Sequence, residues 1–222
     1  MIRENISKIR ERLPPGITIV AVSKARTLQQ IEEVIRAGIS DIGENKVQEA
    51  LIKYKELSTI DYKTSTIRWH MVGHLQTNKV KDAVGIFDLI HSVDSVHLAQ
   101  EIDRQAVKIN KIQNILIEVK TSGEATKFGL RPEEVIAVIK EMAPFKNIDI
   151  KGLMTIAPIV DSPEKTRPYF RTLRELKDEI NRSSLTKSPL SVLSMGMSDD
   201  FEIAIEEGSN MIRIGRAIFS RQ

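Results

Sequence analysis

The sequence predicts an α/β fold, a single (β/α)8 TIM barrel of the parallel type with an extra N-terminal helix. Three observations point there. Eight short apolar runs alternate with amphipathic helical segments along the chain. Eight such units fit into 222 residues, slightly short of the roughly 250 of a typical barrel. Side chains able to do chemistry gather after the apolar runs rather than before them, as the C-terminal face of a barrel requires. The rival is an open doubly wound sheet, which would normally carry fewer strands. No internal repeat or linker interrupts the pattern, so residues 1–222 read as one domain.

The elements follow in order. Residues 2–13 form an amphipathic helix ahead of the first strand, the usual place for an element that caps a barrel bottom. The strand over 17–22 is β-branched and uncharged, and is entered through Pro14-Pro15-Gly16. The helix over 28–37 carries Leu28, Ile31, Val34 and Ile35 on one face, with Thr27 and Gln30 spaced as a capping box. Strands over 39–43, 67–72, 86–91 and 113–119 come next, separated by helices over 45–57, 77–84 and 95–109. The helix over 131–142 enters through Arg131-Pro132. After a strand over 148–153, Ser162-Pro163 starts a helix over 163–181 that carries Phe170, Leu173, Leu176 and Ile180. Strands over 190–194 and 210–214 flank a helix over 199–207. The polar run 182–189 reads as the most mobile loop.

Composition narrows the function classes. A charged fraction of 28% and a hydrophobic fraction of 41% are ordinary for a globular chain. No apolar run is long enough to cross a bilayer. The start, Met1-Ile2-Arg3-Glu4-Asn5, lacks the apolar core of a secretory signal, so a cytoplasmic protein is expected. There is no cysteine, which excludes disulfides, thiolate metal sites and a cysteine nucleophile. A net charge of +3 with interspersed signs, three Tyr and one Trp argue against a nucleic-acid partner.

The strand ends hold the candidate residues. Lys24 closes the run Ile17–Ser23, where α/β proteins place their chemistry. Desolvation there would favour a neutral amine able to attack an aldehyde and form a Schiff base; a lysine snorkelling into solvent fits the same position. Ser194-Met195-Gly196-Met197-Ser198 is a strand, a glycine turn and a helix start. Gly196 allows close backbone approach, and the following N–H groups suit an anion. Ser198 adds a hydroxyl or serves as a plain N-cap. Ile214-Gly215-Arg216 offers a second set of backbone donors, and TIM barrels commonly hold phosphate after strands seven and eight. Asp199 and Asp200 are expected to face solvent, because turned inward they would repel a phosphate. Arg213, between Ile212 and Ile214, is either paired with a barrel carboxylate or aimed at a ligand atom. Were that atom a pyridine nitrogen, the cation would keep it unprotonated.

In order along the whole chain, these motifs resemble the pyridoxal phosphate homeostasis family, whose fold is the barrel domain of alanine racemase. The motifs are Val22-Ser23-Lys24, Gly43-Glu44-Asn45 with Val47-Gln48-Glu49-Ala50, and Trp69-His70 through Gly73-His74-Leu75-Gln76-Thr77-Asn78-Lys79. They continue with His91-Ser92-Val93-Asp94-Ser95, Lys127-Phe128-Gly129, Gly152-Leu153-Met154, Leu193 through Asp200, and Arg213-Ile214-Gly215 with Ala217-Ile218-Phe219. The resemblance implies that Lys24 holds pyridoxal 5′-phosphate as a Schiff base. It implies that Ser198 and the backbone at Gly215 and Arg216 hold the phosphate, and that Arg213 faces the pyridine nitrogen. Asn45 and Met154 would line the cofactor, and Gly196 and Met197 would shape the phosphate loop. Two positions depart from the family pattern. Lys46 stands where the family usually has tyrosine, and Arg216 where it often has a small residue whose hydroxyl could reach phosphate. His74 reads as a polar loop residue or a general base, and Lys127 as a lysine at the barrel mouth or one that accepts and releases cofactor.

Alanine racemase needs a second domain and a tyrosine base from a partner subunit. This chain ends soon after its eighth strand, and Tyr54, Tyr62 and Tyr169 fall at no predicted strand end. Proton abstraction needs a base within hydrogen-bond reach. The expected function is therefore cofactor buffering and delivery, with indirect effects on amino- and keto-acid metabolism. The recipients would be pyridoxal-phosphate-dependent apo-enzymes, and the expected state is a monomer. The alternatives are a small racemase or amino-acid lyase, and a phosphosugar-type barrel enzyme without the cofactor.

Overall fold

The computed structural model describes residues 1–58, 67–123 and 128–220. Eight parallel strands run in chain order around a closed barrel. They are β1 (Thr18–Val22), β2 (Asp41–Glu44), β3 (Arg68–Met71), β4 (Leu89–Val93), β5 (Gln113–Glu118), β6 (Ile148–Met154), β7 (Val192–Ser194) and β8 (Met211–Ile214). Closure is made by β1, which pairs with β2 at Val20–Asp41 and with β8 at Val20–Arg213. The helices are α1 (Ile2–Glu11), α2 (Leu28–Arg36), α3 (Val47–Ser58), α4 (Val80–Ile86), α5 (Val96–Lys108), α6 (Pro132–Met142), α7 (Arg167–Arg182), α8 (Phe201–Glu206) and α9 (Arg216–Phe219).

Local signals explain most boundaries. Thr27 accepts the Gln30 N–H while the Gln30 side chain accepts the Thr27 N–H, so α2 begins with a full capping box. Two predicted helices start differently. Thr77–Lys79 and Pro163–Thr166 are 3-10 turns leading into α4 and α7. The predicted strand over 86–91 begins later, at Leu89, because Ile86 ends α4 and Phe87, fully buried, follows it as the helix cap. The one-turn helix α9 follows β8 and was not predicted. The N-terminal helix α1 packs on the barrel's flank against α2 and α9, where Asn5 donates to the Ile218 and Ser220 carbonyls. Its buried Ile2, Ile6 and Ile9 join the core between strands and helices.

Inside the barrel, residues that alternate along the strands point to the lumen. Val20, Val72, Leu89, Leu116, Met154 and Met211 form a small apolar plug, with Val22 and Val192 packed against it. Asp41, His70, His91, Ser194 and Arg213 share the inward parity and are all buried. The lumen is thus half apolar plug and half polar cluster. At Gly152 an added Cβ would lie 1.9 Å from the Val192 carbonyl oxygen, so only glycine allows β6 to approach β7 this closely.

Candidate functional site

At the C-terminal ends of the strands a cavity brings together Asn45, Met197, Ser198, Arg213, Gly215 and Arg216, with Val22, Val72 and Ile156 as its apolar lining. Six of the nine sequence-predicted residues therefore meet at one place. The other three, Lys24, Met154 and Gly196, are not among its lining residues.

Lys24 lies two residues beyond the inward-facing Val22. The intervening Ser23 hydroxyl donates to Glu44 Oε1 at 2.5 Å, and Lys24 opens the turn that follows β1 at the barrel mouth. It is exposed, so burial does not supply the desolvation expected from the sequence. Its neighbours are pinned instead. Lys53 Nζ donates to the Ser23 carbonyl at 2.7 Å, to Glu44 Oε1 at 2.6 Å and to Glu49 Oε1 at 2.7 Å. Glu49 Oε1 also accepts the Ala25 N–H at 2.7 Å, and Ala25 sits at φ +54°. Burial drives the Glu44 carboxyl up, against the hydrogen bonds from Lys53 and Ser23. Burial also opposes ionisation of Glu49, but the bonds from Lys53 and Ala25 hold it below its ordinary value. Lys53 was missed because Glu49 and Lys53 have the i, i+4 spacing of an ordinary solvent-facing helix pair.

Met154 is fully buried in the luminal plug. Gly196 stands at φ +92°, and an added Cβ would approach Ala204 Cβ to 2.6 Å. The Gly196 carbonyl accepts the Arg213 N–H at 3.0 Å, which ties the turn to β8. Ser198 Oγ accepts the Ala217 N–H at 3.2 Å, joining the loops after β7 and β8. Asp199 faces solvent and pairs with the exposed Arg216 guanidinium. Asp200 does not face solvent as expected. It is buried, because its Oδ1 accepts the Met197 N–H at 2.6 Å and caps the turn, and that burial raises its carboxyl.

Arg213 is buried without a carboxylate in salt-bridge contact among the described residues. Nη1 donates to the Ser194 carbonyl and to Ser194 Oγ, both at 2.7 Å, and Nη2 donates to the Thr155 carbonyl at 2.8 Å. Burial lowers the guanidinium to about 10, with Glu118 and Asp200 pulling the other way, so it is charged at neutral pH. Glu118, the last residue of β5, is pushed up to about 7 by burial and by Asp94, against the pull of Arg213. Its Oε2 has no partner among the described residues.

Beneath the mouth runs a polar chain that the sequence reading left without a role. Asp41 Oδ1 meets His70 Nε2 at 3.0 Å, His70 Nδ1 meets His91 Nε2 at 2.9 Å, and His91 Nδ1 meets Ser194 Oγ at 3.0 Å. At the rim, His74 Nδ1 lies 3.5 Å from Asp94 Oδ2, and its ring stacks on Phe128 with centroids 3.7 Å apart. Tyr54 packs edge-on against Trp69 at 6.1 Å, and Tyr169 lies on α7. Lys46 is exposed. Lys127 and Tyr62 lie outside the described residues.

No helix of the described residues is long and apolar enough to cross a membrane. Residues 1–221 match the family model for the alanine racemase N-terminal domain. A pyridoxal phosphate homeostasis protein of Aquifex aeolicus is 44% identical over 222 residues, covering 99% of this chain and 94% of that protein. One from Synechocystis is 38% identical over 213 residues, covering 96% and 95%. PipY of Synechococcus elongatus, solved with PLP bound, superposes with a TM-score of 0.91 at 35% identity, covering 99% of this chain and 100% of that one. An alanine racemase of Clostridium difficile has a TM-score of 0.80 at 18% identity, covering all of this chain but 56% of its own, a likeness of fold alone. The barrel, with its mouth cavity between the glycine turn after β7 and the buried arginine of β8, belongs to the pyridoxal phosphate homeostasis protein family.

Proposed function

We propose that this chain binds pyridoxal 5′-phosphate at the barrel mouth and acts in its homeostasis, holding and releasing it rather than turning over a substrate. The observation that carries the reading is Arg213. It is a buried cation held on two sides by backbone carbonyls, and it borders a cavity that Ser198 and Gly215 also line. The donor set fits the group. Ser198, Gly215 and Arg216 stand at the phosphate end, and Gly196 and Met197 shape that turn. Arg213 would meet the ring nitrogen, Asn45 and the apolar lining would flank the ring, and Met154 would support the floor. Lys24, in the turn after β1, would supply the amine. When bound, the group supplies an aldehyde carbon to which a lysine amine adds reversibly with loss of water.

Arg213 stays protonated and therefore donates to the ring nitrogen without protonating it, which keeps the ring a weak electron sink. The described tyrosines stand away from the site: Tyr54 packs on Trp69, Tyr169 lies on α7, and neither lines the mouth cavity. These features support a carrier over an enzyme. We read the chain as a cytoplasmic monomer that hands the cofactor to apo-enzymes depending on it. A second reading, a small racemase or lyase, draws on His74 beside Asp94 at the rim. It predicts loss of an amino-acid α-proton in deuterated water.

The test is the visible spectrum of the protein with added pyridoxal 5′-phosphate, then borohydride reduction and peptide mapping. A new absorbance band that reduces onto Lys24 supports the reading. No chromophore, or a label on another lysine, overturns it.

A further inference from the structure

The luminal chain from Asp41 to Arg213 has a direction. Asp41 is held at about 2: hydrogen bonds from His70 and Arg68 outweigh its burial, so it is an anion. Arg68 donates to it from Nε at 2.7 Å and Nη2 at 2.6 Å. An anion accepts only, so His70 carries a proton on Nε2. His91 is uncharged, because burial, with His70 and Arg213 nearby, holds it well below its ordinary value. If the Nε2 proton is the only one on His70, its Nδ1 accepts from His91 Nε2–H, and His91 Nδ1 then accepts the Ser194 hydroxyl proton. The Ser194 oxygen remains free to accept from Arg213. Every proton has an acceptor, and donation runs one way from the cation on β8 to the anion at the start of β2. In the opposite polarity the serine oxygen would accept from both His91 and Arg213, and its hydroxyl proton would have no acceptor in the chain among the described residues.

The path crosses the barrel. His91 on β4 and Ser194 on β7 are not neighbouring strands, and their bond spans the lumen. The contacts also divide the five N–H groups of Arg213. Two on Nη1 go to Ser194 and one on Nη2 goes to Thr155, which leaves Nε–H and one Nη2–H for the cavity.

We propose that Ser194 and His91 are positioning residues for Arg213, locking its Nη1 edge onto β7 so that its remaining donors face the cofactor ring, with Asp41 at the far end setting the direction of donation. This rests on the reading of Arg213 as the ring-nitrogen partner.

The experiment compares pyridoxal 5′-phosphate with its 1-deaza analogue, in which C–H replaces the ring nitrogen. Ser194→Ala is expected to bind the natural cofactor about tenfold more weakly, while its affinity for the analogue matches that of the unsubstituted protein. His91→Asn, which removes the ring nitrogen facing His70, is expected to show the same selective loss. An equal loss for both ligands, or no loss, overturns the proposal. The cofactor-free protein supplies a separate readout through nitrogen-15 spectra of its four histidines. His70 and His91 are both expected as Nε2–H tautomers, with His91 becoming a tautomer mixture in Ser194→Ala; an Nδ1–H His91 in the unsubstituted protein overturns the chain. Should both variants fail to fold, the tautomers of the unsubstituted protein decide alone. If that protein binds neither ligand, the cofactor reading fails while the tautomers still test the chain.

Discussion

Lys53 Nζ sits 2.6 Å from Glu44 Oε1 beneath the turn that carries Lys24, with the two side chains 8% and 0% exposed. The same ammonium holds the Ser23 carbonyl. A buried pair of this kind is weak evidence of net stabilisation, but breaking it leaves one charge stranded. Here the stranded group would be Glu44, whose Oε2 already lacks a partner among the described residues.

Lys53→Met is therefore expected to cost about 3 kcal/mol of unfolding free energy in urea denaturation. Glu44→Gln added to it should recover part of that loss by removing the stranded charge. The single variant should also bind cofactor more weakly, because Ser23 to Ala25 lose their anchor. A cost below about 1 kcal/mol would mean that the pair is solvated.

Glu118 sets a pH dependence of definite sign. Burial first, then Asp94, raises its carboxyl from the ordinary 4.5 to about 7. Stability linked to it is fully present below about 4.5 and is lost as pH rises through about 7. Glu118→Gln is expected to match the parent at pH 4.5 and to exceed it by about 2 kcal/mol at pH 8. Thermal melts at the two pH values check this, and a difference independent of pH would exclude it.

His91 and Asp41 work in the other direction. His91 is held well below 6.5 by burial first, so its contribution is present above 6.5 and declines as pH falls from there. Asp41, lowered from 3.8 to about 2, loses its contribution only as pH falls through that lower window. Between pH 4.5 and 6.5 the Glu118 and His91 effects oppose each other. In the Glu118→Gln background one opposing carboxyl is gone, with Glu44 and Asp200 still raised, so stability should fall more steeply on acidification than in the parent, by up to about 1.4 kcal/mol per pH unit for the His91 share. His91→Asn in that background should remove this share; an unchanged profile would mean that burial does not hold His91 low.

Gly196→Ala tests the turn after β7. Its φ of +92° strains any other residue, and the new Cβ would lie 2.9 Å from Phe201 Cα. A loss of at least about 1–2 kcal/mol is expected, together with weakened cofactor binding, as Met197 and Ser198 shift. Denaturation and cofactor titration of one preparation measure both.

Much of this was legible along the chain because it is local. Strand and helix periods, the capping box at Thr27 and the glycine turn at Gly196 depend on residues a few positions apart. So do the strand ends, and that is why Lys24, Asn45, Ser198, Arg213 and Gly215 were found as candidates. What escaped was orientation and long-range pairing. Asp200 turned inward because its carboxylate caps the Met197 N–H, a competition between solvation and a local hydrogen bond that composition does not decide. Lys53 looked like a surface helix residue until α3 laid it under Ser23.

The sequence by itself determined the eight alternating units, the face on which their chemistry gathers and the family they resemble, since each follows from short-range patterns and ordered motifs. Only the tertiary structure decided that Asp41, His70, His91, Ser194 and Arg213 form one hydrogen-bonded line. Ser194 lies 103 residues from His91, and the two meet only because barrel closure places β4 and β7 across one lumen.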